Sequence, residues 1–385
     1  MPQNTTTTVW NYSAGPAIMP KPVLQKAAAE LVNWNNTAMS VMELSHRSPE
    51  FEQILATTEH NLRTLLAIPH NYRVLWMQGG ATSQFSALVY NLFGHPHEHV
   101  AADYLVTGAW SAKAVQEANR LGVKTNVVLD TTASNHTGSI DPTTIHYTPA
   151  PNAAYVYYCD NETVHGVEFP AVLANVPASV PLVCDMSSNI LSRTFDVSKF
   201  GLIFAGAQKN IGPAGATLVL IRDDLLDRKH PTLVCPVMMD YALCAKNNSM
   251  YNTPPTYAIY VSGLVFEWLL QQGGIPAMEK RNKEKAETLY TAIDSSNGLF
   301  VCPVAKTYRS RMNVPFRVCD PTTGQPSNDL EKRFLNGAQE RRMLQLKGHR
   351  SVGGIRASLY NAMPIEGVNV LVDYMREFAA TVNKK

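Results

Sequence analysis

The first two thirds of the chain alternate between helix-like and strand-like patterns of apolar residues. Ser48 and Pro49 place a capping side chain and a first-turn proline side by side, which is typical of a helix start. The helix that follows is predicted to bury one face at helical spacing, made of Phe51, Ile54, Leu55, Thr58, Leu62, Leu65 and Leu66. Further helical patterns lie at residues 83–92 and 111–121.

Short apolar runs bounded by turn residues are the predicted strands. They are residues 73–77, 100–106, 123–129, 153–159, 181–184 and 202–205. Several of them show little alternation of apolar and polar residues, as expected for strands that helices cover on both faces. The chain is therefore predicted to fold as an α/β protein whose large domain has a mainly parallel sheet flanked by helices.

The pattern changes after residue 261. A long helix at 261–272 ends at a glycine pair, and a charged helix follows at 276–294. A strand at 312–318, a polar loop, a helix, a second strand and a final helix complete the chain, which predicts a smaller α+β C-terminal domain. The predicted divisions are an N-terminal segment of residues 1–15, a large domain of 16–265 and a small domain of 266–385.

Composition and charge restrict the class of protein. The 385 residues are 45% hydrophobic and 17% charged, which is enough apolar material for a sizeable core. A net charge of +2 gives no reason to expect a nucleic-acid or membrane surface. The six cysteines have no metal-ligand spacing, so we expect reduced thiols and no metal site. The start of the sequence lacks the features of a secretory or transit peptide, and we expect a soluble, cytoplasmic protein.

Three features with chemical potential follow predicted strands. Residues 79–82 (Gly-Gly-Ala-Thr) follow the first strand, Asp185 ends the run at 181–184, and Lys209 follows the run at 202–205. Each has an ordinary explanation as a turn, a helix cap or a solvated lysine. In open α/β sheets, however, ligands bind beyond the carboxyl ends of the strands. Together the features suit pyridoxal phosphate, which needs a phosphate-binding turn, a Schiff-base lysine and an acid opposite the pyridine nitrogen.

Seven segments carry a more specific resemblance, and they are residues 11–17, 40–47, 161–163, 205–215, 251–256, 309–316 and 348–364. In these segments the chain resembles the phosphoserine aminotransferases, a class-V family of fold-type I pyridoxal-phosphate-dependent enzymes. The resemblance implies transamination of 3-phosphohydroxypyruvate with glutamate, in serine biosynthesis. It also implies a homodimer with shared active sites, which residues 1–15 reach. Small-molecule substrates are the expected partners, namely phosphoserine, glutamate and their keto acids.

The resemblance also implies roles for individual residues. Lys209 matches the Schiff-base lysine, and Asp185 matches the partner of the pyridine nitrogen. The other matches to cofactor-binding positions are the stacking Trp110, the polar Thr163 and Gln208, Ala81 and Thr82 of the phosphate-binding turn, and Asn252 and Thr253 from the other subunit. The matches to substrate-binding positions are Ser13, His46, Arg47, His349, Arg350 and Arg356. Arginine suits such substrates because its guanidinium pairs in a bidentate manner with carboxylate and phosphate.

One departure and two alternatives bear on specificity. Thr82 stands where some family members carry an arginine that adds to the substrate-phosphate site. A different aminotransferase is one alternative, although it would leave the histidine and arginine pairs without a purpose. A cysteine desulfurase is the other, with Cys319 as nucleophile, but Cys319 extends an apolar run and buried thiols are usually inert. A second activity on the phosphorylated hydroxythreonine precursor of vitamin B6 is left open.

Overall fold

A computed structural model describes residues 8–94, 100–138, 145–149 and 152–382. Its strands are β1 (Trp10–Asn11), β2 (Tyr72–Met77), β3 (Ala101–Val106), β4 (Lys124–Asp130), β5 (Ala153–Cys159), β6 (Asn161–Glu162), β7 (Val167–Glu168), β8 (Leu182–Asp185), β9 (Leu202–Gly206), β10 (Thr217–Arg222), β11 (Phe300–Val301), β12 (Asn313–Val318), β13 (Met343–Leu344) and β14 (Ile355–Ser358). Its α-helices are α1 (Lys21–Ala29), α2 (Pro49–Leu66), α3 (Gly80–Leu92), α4 (Ala109–Arg120), α5 (Tyr241–Lys246), α6 (Thr256–Gln271), α7 (Gly274–Asp294), α8 (Asn328–Glu340) and α9 (Ile365–Val382).

In the described part of the chain, the central sheet has seven strands in the order β2-β10-β9-β8-β5-β3-β4. Strand β10 is antiparallel to both of its neighbours, whereas the other adjacent pairs are parallel. All six predicted strands are present, and the predicted mainly parallel sheet is confirmed. Strand β10 was not predicted. It returns directly from β9, so the loop of residues 207–216 that carries Lys209 lies between two paired strands at the carboxyl edge of the sheet.

Helix α2 shows how the apolar pattern determines packing. The Ser48 hydroxyl accepts a hydrogen bond from the Phe51 N–H at 3.4 Å, and Pro49 is the first helical residue. The seven residues of the predicted apolar face are the seven that are buried in α2. Burying each large aliphatic or aromatic side chain contributes roughly 1.5–3 kcal/mol relative to exposure, so this face holds α2 against the large-domain core.

A second core lies around the three-stranded sheet β11-β12-β14 and the helices α7, α8 and α9. Four phenylalanines from four different elements meet there, namely Phe300, Phe316, Phe334 and Phe378. Tyr12 is fully buried in the same core, and its hydroxyl donates to the Gly367 carbonyl at 2.7 Å. Strand β1 pairs in parallel with β13. The N-terminal segment is therefore part of the C-terminal core.

The two cores share the helices near the predicted domain boundary. Helix α6 spans residue 265, and Leu269 and Met278 pack in the large-domain core, whereas Leu289 packs in the second core. The domain limits stay a prediction, and the first seven residues of the predicted N-terminal segment lie outside the described residues. Of the helices in the described ranges, none is both long and apolar enough to cross a membrane.

Candidate active site

A cavity of about 410 Å³ lies at the carboxyl ends of the central strands. This volume is in the range of small-molecule sites, roughly 300–1,000 Å³. Nine of the predicted site residues line it, and they are Ala81, Thr82, Trp110, Thr163, Asp185, Gln208, Lys209, His349 and Arg356. They come from the ends of five strands and from the C-terminal part of the chain, so the sheet edge gathers residues that are far apart in sequence.

The turn before α3 forms one wall of the cavity. Gly79 and Gly80 have φ angles of +89° and +64°, in the region that favours glycine. A Cβ atom on Gly79 would lie 1.9 Å from the Ser83 hydroxyl oxygen, so a larger residue does not fit there. The N–H groups of Ala81 and Thr82 lie in the first helical turn, where no carbonyl within the helix reaches them. Such a helix start is suited to bind a phosphate group.

Lys209 is half-buried in the loop between β9 and β10, and its amine points at a polar partner in the cavity. The Nζ atom donates to the Thr163 hydroxyl at 2.7 Å and lies 5.8 Å from the centre of the Trp110 ring. Burial lowers the pKa of Lys209, while the nearby Asp185, Cys159 and Glu162 act in the opposite direction. The neutral amine, which is the nucleophilic form, is therefore more accessible than in an exposed lysine.

Asp185 ends β8, the strand next to β9 in the sheet. One carboxylate oxygen accepts a hydrogen bond from the Ser187 N–H at 2.8 Å. Burial raises the pKa of Asp185, and the Ser187 bonds and the charge of Lys209 oppose that rise. A buried carboxylate of this kind gains most from a cationic partner, because a positive charge beside it offsets the cost of leaving water.

Positively charged groups also gather at the cavity. Arg356, on β14, donates to the Thr163 carbonyl at 3.3 Å, and burial lowers its pKa. The imidazole of His349 is 2.6 Å from the Ser351 hydroxyl. Burial lowers the pKa of His349, and the neighbouring Arg356, Arg350 and Lys113 lower it further. This side of the cavity therefore attracts anions.

Six predicted site residues do not line the cavity within this one chain, and they are Ser13, His46, Arg47, Arg350, Asn252 and Thr253. Ser13 is adjacent to Ala14, which does line it, and Arg350 is exposed beside His349. His46 and Thr253 lie together, with the Thr253 hydroxyl 3.3 Å from the His46 imidazole. The Thr253 carbonyl accepts from the Gln78 amide at 3.5 Å.

The cavity also contains residues that sequence reasoning did not assign, namely Ala14, Gly15, Cys159, Asn161, Val164, Ser187 and Ser188. Asn161 is the most informative of them. Its amide donates to the Ser188 hydroxyl and to Asn313, whereas its side-chain oxygen is buried without a hydrogen-bond partner among the described residues. Its position after a predicted strand was the available signal, because chemistry at this sheet edge follows strand ends.

The residues present fit pyridoxal phosphate. A helix N-terminus with free N–H groups suits the phosphate, the amine of Lys209 suits a carbonyl carbon, and the Asp185 carboxylate suits a protonated ring nitrogen. The Trp110 ring supplies an aromatic wall, and the buried oxygen of Asn161 supplies a further acceptor.

The aminotransferase class-V family model matches residues 9–371. The chain belongs to the class-V aminotransferase family. A phosphoserine aminotransferase of Laribacter hongkongensis is 53% identical over 97% of this chain and 99% of its own length. One of Drosophila melanogaster is 51% identical over 96% and 98%. The structure of a PLP-bound phosphoserine aminotransferase from Trichomonas vaginalis is 46% identical, covers 96% of this chain and 100% of its own, and superposes with a TM-score of 0.89. The resemblance expected from the sequence motifs is confirmed.

Proposed function

We propose that the chain is a phosphoserine aminotransferase that uses pyridoxal phosphate held at this cavity. The observation that carries the proposal is the placement of the Asp185 carboxylate and the Lys209 amine at the ends of the adjacent strands β8 and β9, in a cavity that also holds a glycine turn at a helix start. The names of the similar proteins support the same reaction. When bound, pyridoxal phosphate supplies a carbonyl carbon for the amino group and a ring that accepts electrons as the substrate Cα–H bond breaks.

The residues of the chain would then divide the work. Lys209 would carry the proton between the substrate Cα and the cofactor, as general base and then as general acid. Its lowered pKa favours that role because the neutral amine is the base. Asp185 would hold a proton on the ring nitrogen, and Thr163 would hold the Lys209 amine through the 2.7 Å hydrogen bond.

Substrate recognition follows from charge. Arg356 lies in the cavity and would pair with the α-carboxylate that phosphoserine and glutamate share. His349 and Arg350 would take the phosphate of one substrate and the side-chain carboxylate of the other, together with His46 and Arg47. Thr82 brings no charge to this site. The phosphate is the more highly charged of the two groups, and the gathered cations favour it.

A homodimer would complete the site, since Asn252, Thr253, His46 and Arg47 lie outside the cavity of their own chain. Apolar residues close to them in the sequence are exposed, among them Met42 and Tyr251, with 57% and 47% of their surface accessible. Val234 is 90% exposed. Apolar surface of this kind is typical of a face that a partner covers. A second copy of this chain would cover it and place the four residues at the other subunit's cavity.

The reaction is tested with purified protein, pyridoxal phosphate, glutamate and 3-phosphohydroxypyruvate, by following formation of 2-oxoglutarate. The same assay with other keto acids, including the one related to phosphorylated hydroxythreonine, measures specificity. Lys209→Ala is the negative control. Equal rates with unphosphorylated keto acids would overturn the phosphoserine assignment.

Sharing of sites is tested separately by mixing two inactive variants, Lys209→Ala and a double substitution of Asn252 and Thr253. A mixed dimer contains one intact site, so about half of the mixed dimers' sites should regain activity once subunits exchange. Verified exchange without recovery would show that each chain works alone.

A further inference from the structure

Strand β6 connects three walls of the cavity. It follows β5 after one residue, and its first residue, Asn161, donates to Ser188 and Asn313 at 2.7 and 2.9 Å. Thr163, immediately after β6, accepts from Lys209 and Arg356. Glu162 lies between these two residues, does not line the cavity, and has 0% of its surface accessible. A buried glutamate in such a place needs partners.

The partners of Glu162 are in the first turn of α4. One carboxylate oxygen accepts from the Trp110 N–H at 3.0 Å. The other accepts from the Ser111 N–H at 2.8 Å and from the Ser111 hydroxyl at 2.6 Å. These are N–H groups that a helix start leaves without a partner, and an anion there is favoured by the helix dipole. The carboxylate therefore holds the backbone of the residue that forms the aromatic wall.

The close approach of Glu162 to α4 is built into the sequence. A Cβ atom on Gly108 would lie 2.4 Å from the Glu162 side-chain carboxyl carbon, so glycine is required at the position before the helix. Burial raises the pKa of Glu162, and the hydrogen bonds from Ser111 and Trp110 oppose that rise. Glutamine would fill the same volume as Glu162. Its NH₂ group, however, would replace one of the two carboxylate oxygens and would face the N–H group of Trp110 or of Ser111, so that two donors would meet.

We propose that Glu162 is a positioning residue, whose buried carboxylate fixes the N-terminus of α4 so that the Trp110 ring covers the bound pyridoxal phosphate. The inference rests on the proposed function only in requiring that the cavity binds this cofactor. Glu162 does not line the cavity, and its negative charge would not attract the anionic substrates. The proposal gives this glutamate of the 161–163 segment a role.

A double-mutant cycle on cofactor affinity tests the proposal without any turnover. Pyridoxal phosphate is titrated into apoenzyme of the parent, Glu162→Gln, Trp110→Ala and the double variant, and the dissociation constant is read from the absorbance of bound cofactor. Glu162→Gln is expected to weaken binding at least tenfold. If Glu162 acts through Trp110, the double variant loses no more than about threefold beyond Trp110→Ala, because coupled residues are not additive. Losses that multiply would overturn the proposal.

A matched control residue, Glu117, lies on α4. Glu117 bonds to Ser86 and, at 2.7 Å, to Arg120, away from the cavity. Glu117→Gln is expected to keep the parental cofactor affinity within twofold, and an effect as large as that of Glu162→Gln would overturn the specific role. Parental affinity in a folded Glu162→Gln variant would also overturn it. A parent protein that binds no pyridoxal phosphate would instead refute the proposed function.

A second variant covers the case in which Glu162→Gln does not fold, as judged by far-ultraviolet circular dichroism. Ser111→Ala removes one of the three donors to Glu162 and leaves the carboxylate in place. We expect it to weaken cofactor binding severalfold, and to lose that effect when Trp110 is already alanine. An unchanged dissociation constant in Ser111→Ala, with Glu162→Gln unfolded, would count against the proposal.

Discussion

Removal of the Arg356 side chain should weaken both amino-acid substrates by the same factor. Arg356 is half-buried in the cavity, and the Thr163 carbonyl is one of its hydrogen-bond acceptors, at 3.3 Å. In the proposed function its guanidinium pairs with the α-carboxylate, a group that is identical in phosphoserine and glutamate. Truncating one partner of a buried, hydrogen-bonded ion pair costs about 2–5 kcal/mol. This range corresponds to a roughly 30- to 5,000-fold loss in kcat/KM.

The measurement is the rate of each half-reaction under single-turnover conditions, with phosphoserine and with glutamate, in the parent and in Arg356→Ala. Arg350→Ala is the matched control, because Arg350 is exposed and next to His349 in the loop. We expect Arg356→Ala to keep the phosphoserine-to-glutamate ratio, and Arg350→Ala to lower it, since the phosphate carries more charge than the carboxylate. If both variants shift the ratio equally, the division of labour between the two arginines is wrong.

Four further substitutions, one of them a control, test other parts of the molecule. Lys209→Ala should abolish the absorbance of covalently held cofactor and nearly all turnover, and a few per cent of residual rate without added amine would contradict its role. The pKa of Asp185 is raised in the folded protein, so its contribution to stability is present at low pH and is lost as pH rises through the folded pKa. Apoenzyme of Asp185→Asn should therefore gain melting temperature over the parent at pH 8, with the gain shrinking toward pH 4, whereas turnover should fall by orders of magnitude. Lys285→Met should lower stability by about 2–4 kcal/mol in urea unfolding at pH 6, because the buried Lys285 ammonium donates to three carbonyls at 2.8–3.0 Å. Burial lowers the pKa of Lys285 to about 7, so the charged form prevails at pH 6. Lys283→Met, at an exposed position of the same helix, should change stability by less than about 0.5 kcal/mol.

The fold was largely predictable because its elements are strongly patterned. Helix α2 buries the seven predicted residues, and the predicted strands match the observed ones within one or two residues. Strand β10 was missed, although Thr217–Arg222 is an apolar run like the others. The alternation of strands and helices reveals strands that are joined by a helical crossover. Strand β10 follows β9 through a loop without a helix, so this pattern does not reveal it.

The site was predictable only where residues follow strand ends or match family motifs. Lys209 and Asp185 satisfy both conditions, and they line the cavity together. Glu162 lies in the matched 161–163 segment, but the match gives it no role, because its importance depends on hydrogen bonds to residues about fifty positions earlier in the chain. Ser187 and Ser188 likewise reach the cavity through the turn after β8, and sequence spacing alone does not reveal that geometry.

The pairing of β1 with β13 has a consequence for how the protein is made on the ribosome. Tyr12 leaves the ribosome long before its partners, the Leu344 carbonyl and the Gly367 carbonyl, which are synthesised more than 330 residues later. Until then the stretch around Tyr12 lacks these acceptors, and Ala14 and Gly15, which follow it, lack the anchor that holds them beside Lys209. Nascent chains stalled before residue 343 should therefore expose the lysine to solvent and to amine-reactive reagents. The cavity wall is therefore completed only when β1 has met β13 and the start of α9.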